Sequence, residues 1–308
     1  MFLSDGNVHC NVNHSRCEFC LKYAEKVIAD DLHFSVGGNA ANTSVAFSRF
    51  GLSSQIYSIT GDDWIGKRIH EVLEKEDVDC QFLDIEPGNT SYANILVFKG
   101  ERNLIVYHVP RKYHLPKFED VDWLYLTSMG KNYLPAYEQV LTYVKNTGVK
   151  VGFNPGSYQL RDGVHRLRPF LKMSEVLFLN LQEARSLTEL RSSATVHHIT
   201  EELYDLGPKI INITDGANGA YCFDGRALIH QKIFPGKVIE TTGAGDAYAA
   251  GFTAALFYGE PLDEAMRWGM ANSASVISQV GAQKGLLAKN RIVEILNDHP
   301  NLIPKVVH

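Results

Sequence analysis

The chain predicts an α/β fold, a mostly parallel sheet with helices on both sides, and three observations carry that expectation. Four short apolar runs, "SQIYSIT" (54–60), "VKVGFN" (149–154), "EVLFLN" (175–180) and "KIINIT" (209–214), are compact enough for strands buried on both faces. Stretches of helical periodicity alternate with them, which suits strand–helix–strand units. The 308 residues, 45% hydrophobic and 21% charged, can build one large core, and no repeat or Pro/Gly-rich linker divides them. Residues 1–308 therefore read as a single domain.

Taken in order, helices are expected at 39–50 closed by Gly51, 64–76, 133–147, 161–172, 181–189, 197–206, 245–258 closed by Gly259 and Pro261, and 262–279. The segment 81–108 breaks the alternation. Here "SYANILVF" and "NLIVYHV" flank "KGER", the pattern of a two-stranded hairpin with a glycine turn. Inserted in an α/β fold, such a hairpin is a candidate lid, placed at about 81–110 with a contribution from 8–35. Ligands of such sheets bind beyond the carboxyl ends of the strands.

Composition narrows the function. A net charge of −5 without a basic cluster argues against nucleic acid or an anionic membrane as partner and favours small molecules. The opening "MFLSDGNVHC" lacks a basic segment followed by an apolar one, and the longest apolar run, near 249–258, is too short to span a bilayer, so a cytoplasmic location is expected. Five cysteines, an odd number, do not suggest a disulfide framework.

The most informative stretch is "ETTGAGDAYAAGF" (240–252). Gly243 and Gly245 let the backbone approach a ligand closely, and the residues from Ala247 onward suit a packed helix. A loop feeding a helix N-terminus leaves unpaired N–H groups and partial positive charge, a site for phosphate-like anions. Asp246 sits at that same end. A carboxylate beside an anion cradle makes chemical sense where it takes a proton from a group about to attack phosphorus. It also suits a helix dipole with no further role.

Earlier, "SVGGNAANTSVAFSRFG" (35–51) places Gly37 and Gly38 before Asn39, a good N-cap. Read alone, the loop is either a tight turn opening a capped helix or a glycine floor with Asn39 and Asn42 as hydroxyl-binding amides. Neither this stretch nor 243–251 fits the G-x-G-x-x-G dinucleotide fingerprint, and no Walker A loop occurs.

The Gly-Gly-Asn loop, "TGDDWIG" (60–66), the turn Asn180-Leu-Gln-Glu183, "ITDGANGA" (213–220) and "TTGAGD" (241–246) follow one another in an order that resembles the ribokinase-like (PfkB-type) carbohydrate kinases, from about 35 to 286. The resemblance implies a doubly wound α/β core with a small β lid, and transfer of the ATP γ-phosphoryl group to a hydroxyl, usually a sugar hydroxymethyl. It casts Asp246 as base and the N–H groups of Gly243, Ala244 and Gly245 as the anion hole, with Gly37, Gly38, Asn39 and Asn42 on the acceptor. Asn180 and Glu183 would organise Mg²⁺, largely through water, although the same spacing is that of an ordinary capped helix start. Thr214, Gly216 and Gly219 would line the nucleotide. Asn272, with Gly281 and Ala282, would wall an adenine slot, or simply pack helices.

The acceptor stays open between a sugar and an adenosine-type nucleoside, with Asn89, Tyr92 and Asn94 of the lid as candidates to decide it. A non-catalytic sugar- or nucleotide-binding relative is the reading from another class. The exposed strands at 91–108 would permit a homodimer through the lid.

The chain also departs from the family pattern. Members open with a strand ending in a substrate-binding aspartate, whereas this chain begins "MFLSDGNVHCNVNHSRCEFCLKYAEK", with Asp5 as a possible remnant. Glu240 stands where an aspartate commonly joins a monovalent-cation site, which puts potassium activation in doubt. Cys10, His14, Cys17 and Cys20 have the spacing of a structural zinc site, with free thiols and a redox pair as alternatives.

Overall fold

The computed structural model describes residues 1–3, 7–10, 17–21, 24, 26–98, 101–118, 121–191 and 193–307. Four short strands, β1 (Phe2–Leu3), β2 (Asn7–Cys10), β3 (Cys17–Cys20) and β4 (Ala29–Asp31), precede α1 (Asn39–Arg49). Next come β5 (Gln55–Gly61), α2 (Trp64–Lys75) and β6 (Asp79–Glu86), a unit whose two strands pair in parallel. The hairpin β7 (Tyr92–Phe98) and β8 (Glu101–Tyr107) follows. The hairpin thus starts later than the expected lid, because Asp79–Glu86 is committed to β5.

A second run of strands and helices then builds β9 (Trp123–Leu126), α3 (Leu134–Thr147), β10 (Lys150–Phe153), α4 (Ser157–Arg161), α5 (Gly163–Met173), β11 (Val176–Asn180), α6 (Leu181–Thr188), α7 (Val196–Asp205) and β12 (Ile210–Thr214). The chain closes with β13 (Ala220–Phe223), β14 (Leu228–Gln231), α8 (Ala244–Phe257), α9 (Leu262–Ile277), α10 (Lys289–Asp298) and β15 (Lys305–Val307).

The large sheet runs β15-β14-β13-β12-β11-β10-β9. Strands β9 to β12 are parallel, β10 to β12 where the apolar runs predict them and β9 as an addition, and β13 to β15 extend them antiparallel. A smaller sheet, β4-β1-β7-β8, joins the hairpin to the N-terminal segment. β1 pairs in parallel with β7, so among the described residues the start of the chain adds to the hairpin's sheet and not to the large one.

Each strand of the parallel half feeds two cores, because successive side chains point to opposite faces. Along β11, Val176 and Phe178 enter a cluster with α1, α8 and α9, whereas Leu177 and Leu179 enter one with α3, α5 and α7. Both faces being buried explains why the strand reads as an unbroken apolar run.

Helix α8 is apolar all round because it lies between the sheet and α9, with Ala247, Ala250, Phe252, Ala254 and Ala255 fully buried. Small residues set that crossing: a Cβ added at Gly251 would come within 2.9 Å of the Trp268 carbonyl oxygen. The same packing fixes the N-terminus of α8, where Asp246 stands. Among the described residues, no helix is long and apolar enough to cross a membrane.

Candidate active site

Gly243 ends the loop before α8 in the left-handed region, with φ of 80°, which costs an L side chain but not glycine. Its neighbour across the fold is Ala282, whose Cβ would lie 2.6 Å from a Cβ added at Gly243. At Gly245 the same construction meets nothing within 4 Å, so the loop is closed on one side and open on the other. Within the turn, the Ala244 N–H donates to the Thr241 carbonyl at 3.3 Å. Of the three expected anion donors, the Ala244 N–H is therefore engaged within the turn.

Asp246 occupies the first turn of α8. One carboxylate oxygen accepts a 2.7 Å hydrogen bond from Asn42 Nδ2 on α1, and Asn42 Oδ1 in turn accepts from Gln283 Nε2 at 3.2 Å. Burial pushes the Asp246 carboxyl up to about 6 from 3.8; the Asn42 bond pulls it down, and the Glu183 charge adds to the rise. A carboxylate held near neutrality at a helix N-terminus is suited to accept a proton.

The Gly-Gly-Asn loop arrives from the other side. Gly37 and Gly38 are exposed, with open space where a Cβ would stand. Gly38, with φ of 99°, is the N-cap of α1, and Asn39 is its first helical residue. The expectation that Asn39 caps the helix is corrected: no side chain caps α1, which leaves the Asn39 amide out of that role. Asn42 is 4% exposed, and its amide donates to the Asp246 carboxylate.

Asn180 and Glu183 form a reciprocal capping box at the start of α6: Glu183 N–H donates to Asn180 Oδ1 at 2.8 Å, and Asn180 N–H donates to Glu183 Oε2 at 2.9 Å. Burial raises the Glu183 carboxyl, and the Asn180 bonds oppose it. Asn180 pairs with Thr214 across β11 and β12, which sets the box beside the end of the next strand. One half-buried carboxylate with one amide is a sparse oxygen donor set, which fits Mg²⁺ retaining most of its water. Among the described residues, no group of three or more His, Cys, Asp or Glu side chains could hold a metal ion.

The remaining nucleotide candidates divide. Gly216 has φ of 53° and open space around it. Gly219 has φ of 98°, and a side chain there would run into the Gln231 carbonyl oxygen of β14, so its glycine serves the β13–β14 pairing. Asn272 is fully buried, donating to the Ala247 carbonyl at 2.8 Å and accepting from Leu287 N–H at 2.9 Å. Its amide is a bracket between α9, α8 and the following loop, the packing half of what its position was expected to do.

At the lid, Asn89, Tyr92 and Asn94 are exposed. Arg111, a residue the motif reading passed over, anchors that region: its buried guanidinium pairs with Glu86 at 2.8 Å and donates to the Asn89 carbonyl at 2.6 Å. Asp63, inside "TGDDWIG", accepts from Gly66 N–H at 2.8 Å and from the Thr90 hydroxyl at 2.6 Å, tying α2 to the lid's base. Glu240 is buried and accepts from Gly281 N–H at 2.9 Å.

Of the proposed zinc ligands, His14 lies outside the described residues, as do the side chains of Cys10 and Cys17, whose backbones face each other across β2 and β3; Cys20 is a free thiol. Asp5 also lies outside them.

Two clefts flank these elements. One of about 400 Å³ lies between residues 33–36 and the 279–284 loop that supplies Gln283. A wider one of about 560 Å³, between α3 and α5, has no carboxylate in its lining and belongs to the opposite face of the sheet from α1 and α8.

Comparison with known proteins matches residues 7–289 to the pfkB family carbohydrate kinases. A ribokinase of Haemophilus influenzae is 28% identical, covering 89% of this chain and 92% of its own length. An aminoimidazole riboside kinase of Salmonella typhimurium is 29% identical over 80% of this chain and 79% of its own. The solved structure of Arabidopsis thaliana ribokinase with ribose and ATP superposes with a TM-score of 0.77 at 22% identity, covering 89% of this chain and 92% of that one. The loop before α8, the acid that opens that helix and the α/β frame around them thus stand in a family match spanning nearly the whole chain, which belongs to the pfkB family of carbohydrate kinases.

Proposed function

We propose that this protein transfers the γ-phosphoryl group of ATP to a hydroxymethyl oxygen of a small sugar, with Asp246 as the base. The observation that carries the reading is the Asn42–Asp246 contact: it holds a carboxylate of raised pKa, about 6, at the N-terminus of α8, beside an open glycine turn. In this scheme Asp246 takes the proton of the acceptor hydroxyl as its oxygen bonds to the γ-phosphorus. The bond from that phosphorus to the bridging oxygen breaks and ADP leaves. Amide donors of residues 243–245 and the positive end of α8 stabilise the charge on the transferring group. Such parts suit phosphoryl transfer, where positioning and charge stabilisation lower most of the barrier. Glu183 and Asn180 would hold Mg²⁺, which neutralises phosphate charge when bound.

A nucleoside acceptor is the second reading, favoured by the 29% identity to a riboside kinase. Both readings keep Asp246 as base. ATP consumption measured with ribose, fructose, 2-keto-3-deoxygluconate and adenosine separates them. Turnover of a sugar supports the first, and turnover of adenosine alone replaces it with the second. ATP binding without turnover on a broad panel of sugars and nucleosides would overturn both in favour of a binding protein.

A further inference from the structure

The loop that follows α9 is tied down along its length. Gly281 N–H donates to the Glu240 carboxylate at 2.9 Å, Ala282 stands against Gly243, and Leu287 N–H donates to Asn272 Oδ1 at 2.9 Å. Between these points Arg49, the last residue of α1, donates from Nη1 to the carbonyls of Gln283 at 2.9 Å and Leu286 at 2.8 Å. The rest of its guanidinium grips Glu76 through two bonds of 2.7 Å. A two-pronged arginine–carboxylate pair fixes the plane of the donor as well as its place. The Gln283 backbone is thus held by the helix that carries Asn42, about two turns earlier along it.

From that backbone the side chain reaches the partner of the acid. Gln283 Nε2 donates to Asn42 Oδ1 at 3.2 Å, while Asn42 Nδ2 donates to Asp246 Oδ2 at 2.7 Å. Asn42 is 4% exposed and Gln283 8%, so neither amide is open to bulk water. The two ends of an asparagine amide have nearly the same outline and opposite roles, one an acceptor and the other a double donor. An ionised carboxylate only accepts, so one of the two orientations serves it. A buried donor at the Oδ1 end favours that orientation, because the reversed amide would set donor against donor and acceptor against acceptor. The charged and titratable groups around the acid are Glu183, whose charge opposes ionisation of Asp246, and Tyr125, whose hydroxyl feels the Asp246 charge. Around Gln283 they are Arg49, Glu76, Glu240 and the exposed Lys284. Among the described residues none of these six bonds to the Asn42 amide, which leaves Gln283 to set it.

We propose that Gln283 is a positioning residue for the reaction: its amide donor locks the Asn42 side chain in the orientation that presents Nδ2 to Asp246, and the Arg49–Glu76 pair holds Gln283 in place to do so. The proposal rests on the kinase reading above and extends the site to a residue that acts through Asn42.

The test uses Gln283→Met and Gln283→Leu, which both remove the donor and keep most of the volume, so that one serves if the other does not fold. With ATP and the best acceptor of the four above, kcat should fall about 3- to 10-fold, the scale of one hydrogen bond between neutral groups. KM for ATP should hold within about twofold, because no contact to nucleotide is removed. The acid limb of the pH–rate profile should move to higher pH by about half a unit, since the donor to the ionised acid is no longer locked. A residue that merely packs would lower Tm without moving that limb. Combining Gln283→Met with Asn42→Ala supplies a second comparison: with the amide gone, the Gln283 substitution should change kcat by less than about twofold. An unmoved limb in both single variants, or the same loss with and without Asn42, would overturn the proposal. Carboxyl-carbon NMR titration of Asp246 reads the same lock without substrate: its midpoint, about 6 in the parent, should rise in both variants, and an unmoved midpoint would also overturn the proposal. Failure of the kinase reading would show separately, as a parent that turns over no acceptor.

Discussion

Asn42 on α1 donates to Asp246 on α8 across 2.7 Å, although the two lie 204 positions apart in the chain. Two helices of one core are tied by the group assigned to the chemistry. The bond lowers the acid's pKa against the burial that raises it, so Asn42 sets both where the carboxylate points and when it is charged.

Asn42→Ala should therefore slow turnover by about 10- to 100-fold, the range expected when a general base is mispositioned but not removed. The acid limb of the pH–rate profile should move to higher pH, because the lost hydrogen bond favoured the ionised form. A pH profile that drops uniformly without moving would show that Asn42 acts on something other than Asp246.

Asp246→Asn should abolish turnover by at least about 10² while leaving ATP affinity within a few-fold. Its stability follows a sign that can be worked out. The folded pKa, about 6, lies above the ordinary 3.8, so between these values the native protein keeps a proton that the unfolded chain has released. The favourable contribution is complete below pH 4 and is lost as pH rises through 6. The asparagine variant, which cannot ionise, should be more stable than the parent at pH 7.5, with the gain vanishing near pH 4. Urea titrations at both pH values check this, and a variant less stable than the parent at pH 7.5 would contradict the buried-base assignment.

Strands β5, β10, β11 and β12 and most of the helices were legible in the sequence because both follow from local periodicity, whereas the parallel strands β6 and β9 were not. The Gly-Ala-Gly-Asp turn was legible for the same reason: glycine, a helix start and a carboxylate adjoin one another. What the sequence could not reveal was which distant groups meet. Nothing local distinguishes the Asn42 amide, which holds the Asp246 carboxylate, from the Asn272 amide, which braces two helices; only the fold sets one against Asp246 and the other against the Ala247 carbonyl. Helices α4 and α10 were not legible: α4 has only five residues, and the start of α10 at Lys289 has no side-chain cap to announce it. The short β1 carries only two residues, too few for any period, and its place beside β7 is a tertiary fact.

Gly243→Ala tests the turn itself. The new Cβ would require φ near 80° and would sit 2.6 Å from the Ala282 methyl, so backbone and loop must both shift. The expected loss is about 1–3 kcal/mol of stability, together with most of the activity, since the anion donors move with the backbone. Gly245→Ala has open space around it and should cost stability far less. Equal stabilities of the two variants by thermal unfolding would refute the strained-turn account.

Glu240 makes a prediction about ions. Its carboxylate is buried and accepts from Gly281 N–H, which gives the loop around Ala282 a fixed internal anchor. With that oxygen engaged, rates in potassium, sodium and choline chloride at equal ionic strength should agree within about threefold, a barrier difference of under about 1 kcal/mol. A rise of tenfold or more in potassium alone would mean that the carboxylate releases Gly281 to a cation.

Asn272→Ala separates the two parts that its position could play. If the amide is a bracket, the substitution strands the Leu287 N–H, removes the second donor to the Ala247 carbonyl and leaves a polar gap between helices. The cost should be about 2–4 kcal/mol, one to two unsatisfied buried groups on the usual scale. KM for ATP, measured well below the variant's unfolding temperature, should then change by less than about threefold, because no contact to nucleotide has been removed. A direct adenine contact would give the reverse, with stability nearly intact and ATP affinity reduced about tenfold, the loss expected for one hydrogen bond at a binding site. Asn272→Asp sharpens the comparison: it keeps an acceptor for Leu287 but loses the donor to Ala247 and places a charge in a fully buried site, so it should be at least as destabilised as the alanine variant.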